Sequence, residues 1–160
     1  MNEEWLVDGY NLLHHILSLK NSPCAISPTR EALCAALAGF GSFKRQKIRL
    51  VLDGAADPEE LKIHQTRYFE AVYSQKVSAD HHIEEYICRH KKAVAFVVVT
   101  DDRAITRMAL GGGARVLRNA QFLQMLKDCR GEGEETLWKE KVRSHGFNRP
   151  FGEKFKDRGL

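Results

Sequence analysis

Five aspartates stand where they could act together. Asp8 ends the apolar run Trp5 to Val7, Asp53 ends Ile48 to Leu52, and the pair Asp101-Asp102 follows the valine-rich run Val94 to Val99. Asp80 opens an amphipathic segment just after Ser78-Ala79. Carboxylates gathered at one place repel and raise one another's pKa, so they are costly unless a positive charge lies between them. Hard divalent cations meet that need, because Mg²⁺ and Mn²⁺ prefer carboxylate and water oxygens and keep positions open for phosphate. A cation so held acidifies water and stabilises charge on a leaving oxygen, which allows phosphodiester hydrolysis with no covalent protein intermediate.

That chemistry requires elements that bring the acids to one edge. Strand-length apolar runs alternate with helical segments throughout the chain, the pattern of a mainly parallel sheet covered on both faces, so the fold class is α/β. Strands are predicted at Trp5 to Asp8, Ile48 to Leu52, Tyr68 to Tyr73, Val94 to Val99 and Arg115 to Leu117. Helices are predicted from Asn11 to Leu19, after Thr29 with Leu33, Leu37 and Phe40 on one face, and from Ser78 with Ile83 and Ile87 together. Others follow at Arg103 to Leu110, stopped by Gly111 to Gly113, and at Ala120 to Lys127. A short helix is also expected after Asp57-Pro58, and a polar link over Asn21 to Pro28. In an open sheet of this kind ligands sit outside the carboxyl ends of the strands. Asp8, Asp53 and the Asp101/Asp102 pair all fall there, and Asp80 joins them if its helix starts on the same edge.

Each acid also has a purely local explanation, since aspartate is common before glycine and at helix starts. That suffices for Asp57 and is an open alternative for Asp102, the N-cap position of its helix. Recurrence at equivalent topological places is what sets Asp8, Asp53, Asp80 and Asp102 apart. The seven histidines form no spaced metal pair and read as surface or packing groups. The triple glycine is no phosphate loop, because it ends a helix and no Gly-Lys-Ser or Gly-Lys-Thr follows. Four cysteines without a Cys-x-x-Cys pair suggest neither a zinc ribbon nor a disulfide framework, and the acidic start and lack of a long apolar run point to a cytoplasmic protein with no membrane partner.

With 160 residues, 43% of them hydrophobic, one core-forming domain is expected over 1–128, followed by a tail over 129–160 without core-facing periodicity apart from a turn or two around Leu137 to Val142. The net charge of +4 permits nucleic-acid binding without requiring it. The tail interleaves Lys139, Lys141, Arg143, Arg149, Lys154 and Lys156 with Trp138, Phe147, Phe151 and Phe155. Basic and aromatic residues in alternation can follow a phosphate backbone while stacking on bases, so these six cations are candidate RNA-binding residues. The competing account is a solvated end whose aromatics pack back on the domain.

The stretches WLVDGYNLLH, VLDGAAD, SADHHIEEYI and VVVTDDRAITRMALGGGARVLRNAQFLQML, in this order over roughly residues 4 to 126, resemble the YacP-like branch of the NYN-domain ribonucleases, within the PIN-like group. The resemblance implies a PIN-like three-layer α/β/α sandwich and Mg²⁺- or Mn²⁺-dependent endoribonuclease activity on single-stranded or exposed RNA. It implies Asp8, Asp80 and Asp102 as metal ligands and Asp53 as the further catalytic acid, with Asn11 orienting the ligand shell or a phosphate oxygen. Relatives tend to carry a small hydroxyl residue where this chain has Asp101, so either aspartate could be the ligand; Asp102 is favoured, with Asp101 as its support. Messenger RNA, at the ribosome, is a substrate open to such a protein, though no residue selects it. The alternative is a PIN-like RNA-binding module without catalysis, which would be expected to lack at least one of these acids.

Overall fold

The apolar runs become the strands of one wholly parallel sheet in the computed structural model: β1 (Asn2–Asp8), β2 (Lys47–Leu52), β3 (Phe69–Tyr73), β4 (Val94–Val99) and β5 (Arg115–Leu117). The structure describes residues 2–19, 29–54 and 65–145, with backbone alone at 2 and 133–145. Helices α1 (Gly9–Ser18) and α2 (Arg30–Lys44) lie between β1 and β2, α3 (Ala79–His90) between β3 and β4, and α4 (Arg103–Gly111) between β4 and β5. Helix α5 (Asn119–His145) follows. The link over Asn21 to Pro28 and the helix expected after Asp57 lie outside the described residues.

Strand order is β3-β2-β1-β4-β5. The chain therefore steps outward from β1 to β2 and β3, then returns past β1 to β4 and β5. Parallel crossovers are right-handed, so reversing the direction of travel moves the connecting helices to the opposite face. The cores on the two faces bear this out. On one face Leu6, Val51, Phe96 and Val98 pack with Ala79, Ile83 and Ile87 of α3 and with Ile105 and Ala109 of α4. On the other, Trp5 meets Phe40 of α2 and Phe122 of α5 at ring-centroid distances of 5.5 and 5.7 Å. The reversal leaves a crevice between the carboxyl ends of β1 and β4, the place where ligands bind in such sheets.

Local chemistry sets the helix starts. Thr29 and Ser78 hydroxyls accept the Ala32 and His81 N–H groups at α2 and α3, and Asp102 Oδ1 accepts the Ile105 N–H at α4. Such caps contribute about 1 kcal/mol each. Helix α1 begins at Gly9, two residues before the expected Asn11. A methyl group on Gly9 would lie 2.4 Å from Leu52 Cδ2 and 2.8 Å from the Val51 carbonyl oxygen, so glycine lets α1 leave β1 directly across β2.

Helix α5 corrects the expected end near Lys127 by continuing to His145. The segment after Cys129 lacks an apolar stripe, but past Gly131 and Gly133 it is rich in Glu, Lys and Arg, all good helix formers. Extending an existing helix by a residue forms one hydrogen bond without a new nucleus, so propensity suffices there. The chain divides into two compact units, Met1–Lys127 with the whole sheet and Asp128–Leu160. Among the described residues no helix is long and apolar enough to cross a membrane.

Candidate active site

Alternation along the strands decides which acids meet. Leu6, Val51 and Val98 all face the α3/α4 layer. Two residues further on, the same side of the sheet carries Asp8, Asp53 and Thr100. Helix α3 presents Asp80 in its first turn, and Asp102 is the N-cap of α4, so the acids of both helices start from that same edge.

Asp8 is only 6% exposed, and its carboxyl is pushed up to about 6. Burial is the main cause, with Asp80 and Asp53 adding repulsion and the Thr100 hydroxyl opposing the rise. Asp80 is also raised, first by burial, then by Asp102 and Asp53. Asp8 thus feels Asp53 and Asp80, and Asp80 in turn feels Asp53 and Asp102. Asp53 is braced by accepting the Ala79 N–H at 2.6 Å, which ties the end of β2 to the start of α3. Asp102 spends Oδ1 on its helix cap at 3.0 Å, so the local capping role and membership of the acid group coexist.

Asp101 faces elsewhere. One residue beyond Thr100 the alternation turns it toward the opposite layer, where its Oδ1 accepts the Asn119 N–H at 3.0 Å and its Oδ2 lies 3.6 Å from His15 Nδ1. Its carboxylate anchors the start of α5 to the end of β4. Asn11 joins the two sides. Its Oδ1 accepts the Asp101 N–H at 2.9 Å and Asn119 Nδ2 at 2.8 Å. The Thr100 hydroxyl accepts the Asp102 N–H at 3.1 Å and donates to Asp8 Oδ2 at 3.2 Å, with Asn11 Oδ1 at 3.4 Å as its second acceptor.

Thr100, Asn119 and His15 were not among the expected site residues. Thr100 could have been found by counting two positions on from Val98. Asn119 could not, because its partners are 18 and 108 residues away in sequence. Of the six candidate RNA-binding cations, Lys139, Lys141 and Arg143 lie on the described backbone of α5, and Arg149, Lys154 and Lys156 outside the described residues.

The donor set suits a hard divalent cation: all four acids offer oxygen, Asp53 and Asp102 each have a carboxylate oxygen beyond the one used in bracing, and the buried Asp8 carries an unfavourable charge that a cation would neutralise. Among the described residues no three His, Cys, Asp or Glu side chains already surround one point closely enough to hold an ion.

No curated protein sequence matches the chain. Solved structures share its fold, among them two of one bacterial protein. Rae1 (YacP) from Bacillus subtilis superposes with a TM-score of 0.70 at 20% identity, covering 97% of this chain and 88% of that one. A point mutant of the same Bacillus protein gives 0.66 at 22% identity, covering 91% and 86%. Residues 5–157 match the YacP-like NYN domain, so the matched length includes most of the segment after Cys129, for which the motifs offered no counterpart. With the acids on one edge of a doubly wound sheet and nearly the whole chain matched, the protein belongs to the YacP-like NYN domain family, a branch of the PIN-like nucleases.

Proposed function

We propose that this protein is a divalent-metal-dependent endoribonuclease that cuts single-stranded or locally exposed RNA in the cytoplasm, with messenger RNA at the ribosome among its substrates. The observation that carries this is Asp8: a carboxyl buried at the crevice between β1 and β4, pushed up to about 6, with Asp80 and Asp53 acting on it and Asp102 acting in turn on Asp80. A module that only binds RNA has no use for so costly a group.

Asp8, Asp80 and Asp102 would hold Mg²⁺ or Mn²⁺. Such a cation supplies Lewis acidity toward water and toward the oxygen that leaves. The chain's own residues prepare for it. Thr100 holds Asp8 in place through its hydroxyl, the α4 cap fixes Asp102, and the bond to Ala79 fixes Asp53 beside Asp80. Purified protein incubated with labelled RNA is expected to give internal cleavage products in Mn²⁺ or Mg²⁺, none in EDTA, and recovery with excess Mn²⁺. Undiminished cleavage in EDTA, or intact RNA in every metal, would overturn the proposal.

The basic residues after Cys129 are assigned to substrate binding. Replacing Lys139, Lys141, Arg143, Arg149, Lys154 and Lys156 by alanine is expected to weaken RNA binding and to flatten the dependence of log affinity on log salt by up to about 4 for a single strand. Turnover at saturating RNA should persist, because the acids lie in the first unit. An unchanged salt slope in a filter-binding series would show these cations to be bystanders.

A further inference from the structure

Asn119 is 1% exposed, yet it satisfies only half of its own amide. Its Nδ2 donates to Asn11 Oδ1 at 2.8 Å and reaches the Asn11 carbonyl oxygen at 3.3 Å, while its Oδ1 is buried with no hydrogen-bond partner. A buried acceptor left unpaired is unfavourable, and turning the amide over would not help. Which Asn11 atom is the oxygen is identified by a group that cannot change roles. The Asp101 backbone N–H can only donate, and it donates to Asn11 at 2.9 Å, so the Asn11 atom there is the oxygen. The Asn119 atom facing that same oxygen must then be a donor.

Two donors on Oδ1 leave the NH₂ group of Asn11 as the end of the amide turned away from Asp101 and Asn119, and it donates to none of the described residues. Asn11 itself is half-buried, so that group keeps access to solvent. Thr100 connects this amide to Asp8, lying 3.4 Å from Asn11 Oδ1 and 3.2 Å from Asp8 Oδ2.

We infer that Asn119 is a positioning residue: it locks the carboxamide of Asn11 so that its NH₂ group is presented beside Asp8 as a hydrogen-bond donor for a phosphate oxygen of the RNA. A freely turning carboxamide would spend part of its time offering an oxygen to an anionic substrate, which repels it. A locked one always offers hydrogen, and that preorganisation acts on the reacting phosphate. The unpaired Asn119 oxygen is the cost of holding this orientation. The inference rests on the ribonuclease assignment for its catalytic part, while the orientation of Asn11 stands independently of it.

Asn119→Leu tests it, since it keeps roughly the shape and removes both the donor and the unpaired acceptor; Asn119→Ala is the second variant. In Mn²⁺ with a short RNA, kcat is expected to fall about 10- to 100-fold with KM changed less than about threefold. In an Asn11→Ala background the same substitution should lower kcat no further, because the amide through which it acts is gone. The Asn11 side-chain NH₂ group, followed by ¹⁵N relaxation without RNA or metal, should be rigid in the wild type and mobile, with its resonances shifted, in Asn119→Leu. The thermal midpoint of Asn119→Leu should stay within about 3 °C of the wild type. Losses that multiply in the double variant, or Asn11 resonances unchanged in Asn119→Leu, would overturn the inference. If the wild type cleaves no RNA, the ribonuclease assignment fails by itself, and the Asn11 resonances still decide whether Asn119 sets the amide.

Discussion

Asp8→Asn is expected to abolish RNA cleavage, by at least about a thousandfold, while making the metal-free protein more stable at pH 8. The two effects have one origin. A thousandfold loss corresponds to about 4 kcal/mol, the size of the charge stabilisation a bound cation contributes, and the neutral amide is a poor ligand for it. The stability gain follows from linkage. Asp8 sits at about 6 in the fold against 3.8 ordinarily, so between pH ~4 and ~6 the folded state keeps a proton that the unfolded state has released. Its contribution to stability is therefore complete below pH ~4 and is lost as pH rises through ~6, leaving a deficit of about 3 kcal/mol above that. Asp8→Asn removes the deficit, and the new carbonyl can still accept from the Thr100 hydroxyl. Thermal unfolding of the two proteins in EDTA should diverge over pH 4 to 6, with the variant melting at least about 3 °C higher at pH 8. Adding Mn²⁺ should raise the wild type far more than the variant. Equal midpoints across the pH series would show that Asp8 is not held under this strain, and wild-type turnover in the variant would remove it from the site.

The second large effect separates the two neighbouring acids. Asp102→Asn is expected to lower cleavage at least about 100-fold with little change in stability, because asparagine caps a helix about as well as aspartate but brings no charge. Asp102→Ala should lose the same activity and in addition about 1 kcal/mol, since the Ile105 N–H is left without its acceptor. Asp101→Asn should behave differently. Its carboxylate faces the Asn119 N–H and His15 rather than Asp80, and an amide oxygen can still accept that bond, so cleavage should drop less than about tenfold. Measured kcat values with the opposite ranking, Asp101→Asn silent to neither substrate nor metal and Asp102→Asn active, would make Asp101 the working acid.

Much of this architecture is written along the chain. The continuous apolar, valine-rich run Val94 to Val99 reads as a strand buried on both faces, and Ile83 and Ile87, one helical turn apart, share the buried face of α3. Acids following such runs in a parallel sheet must sit at its carboxyl edge, which is why Asp8, Asp53 and the Asp101/Asp102 pair were legible as candidates from their positions alone. The extension of α5 was not, because periodicity reports a core-facing stripe and that segment is helical by propensity.

Tertiary structure decided the rest. Which sheet face each terminal residue takes depends on strand pairing and on the reversal of crossover direction at β1, and only these place Asp80 and Asp102 with Asp8 while sending Asp101 to the other layer. The raised carboxyl of Asp8 is likewise invisible along the chain, since it arises from burial in the fold and from Asp80 and Asp53, which lie far from it in sequence. Asn119 is the clearest case. As one polar residue at a helix start it looks unremarkable, and its partners Asn11 and Asp101 become neighbours only when α1, α5 and the end of β4 converge. Local propensity and periodicity are properties of neighbouring residues and survive in the sequence; a hydrogen bond spanning 108 residues exists only once the sheet has closed the distance.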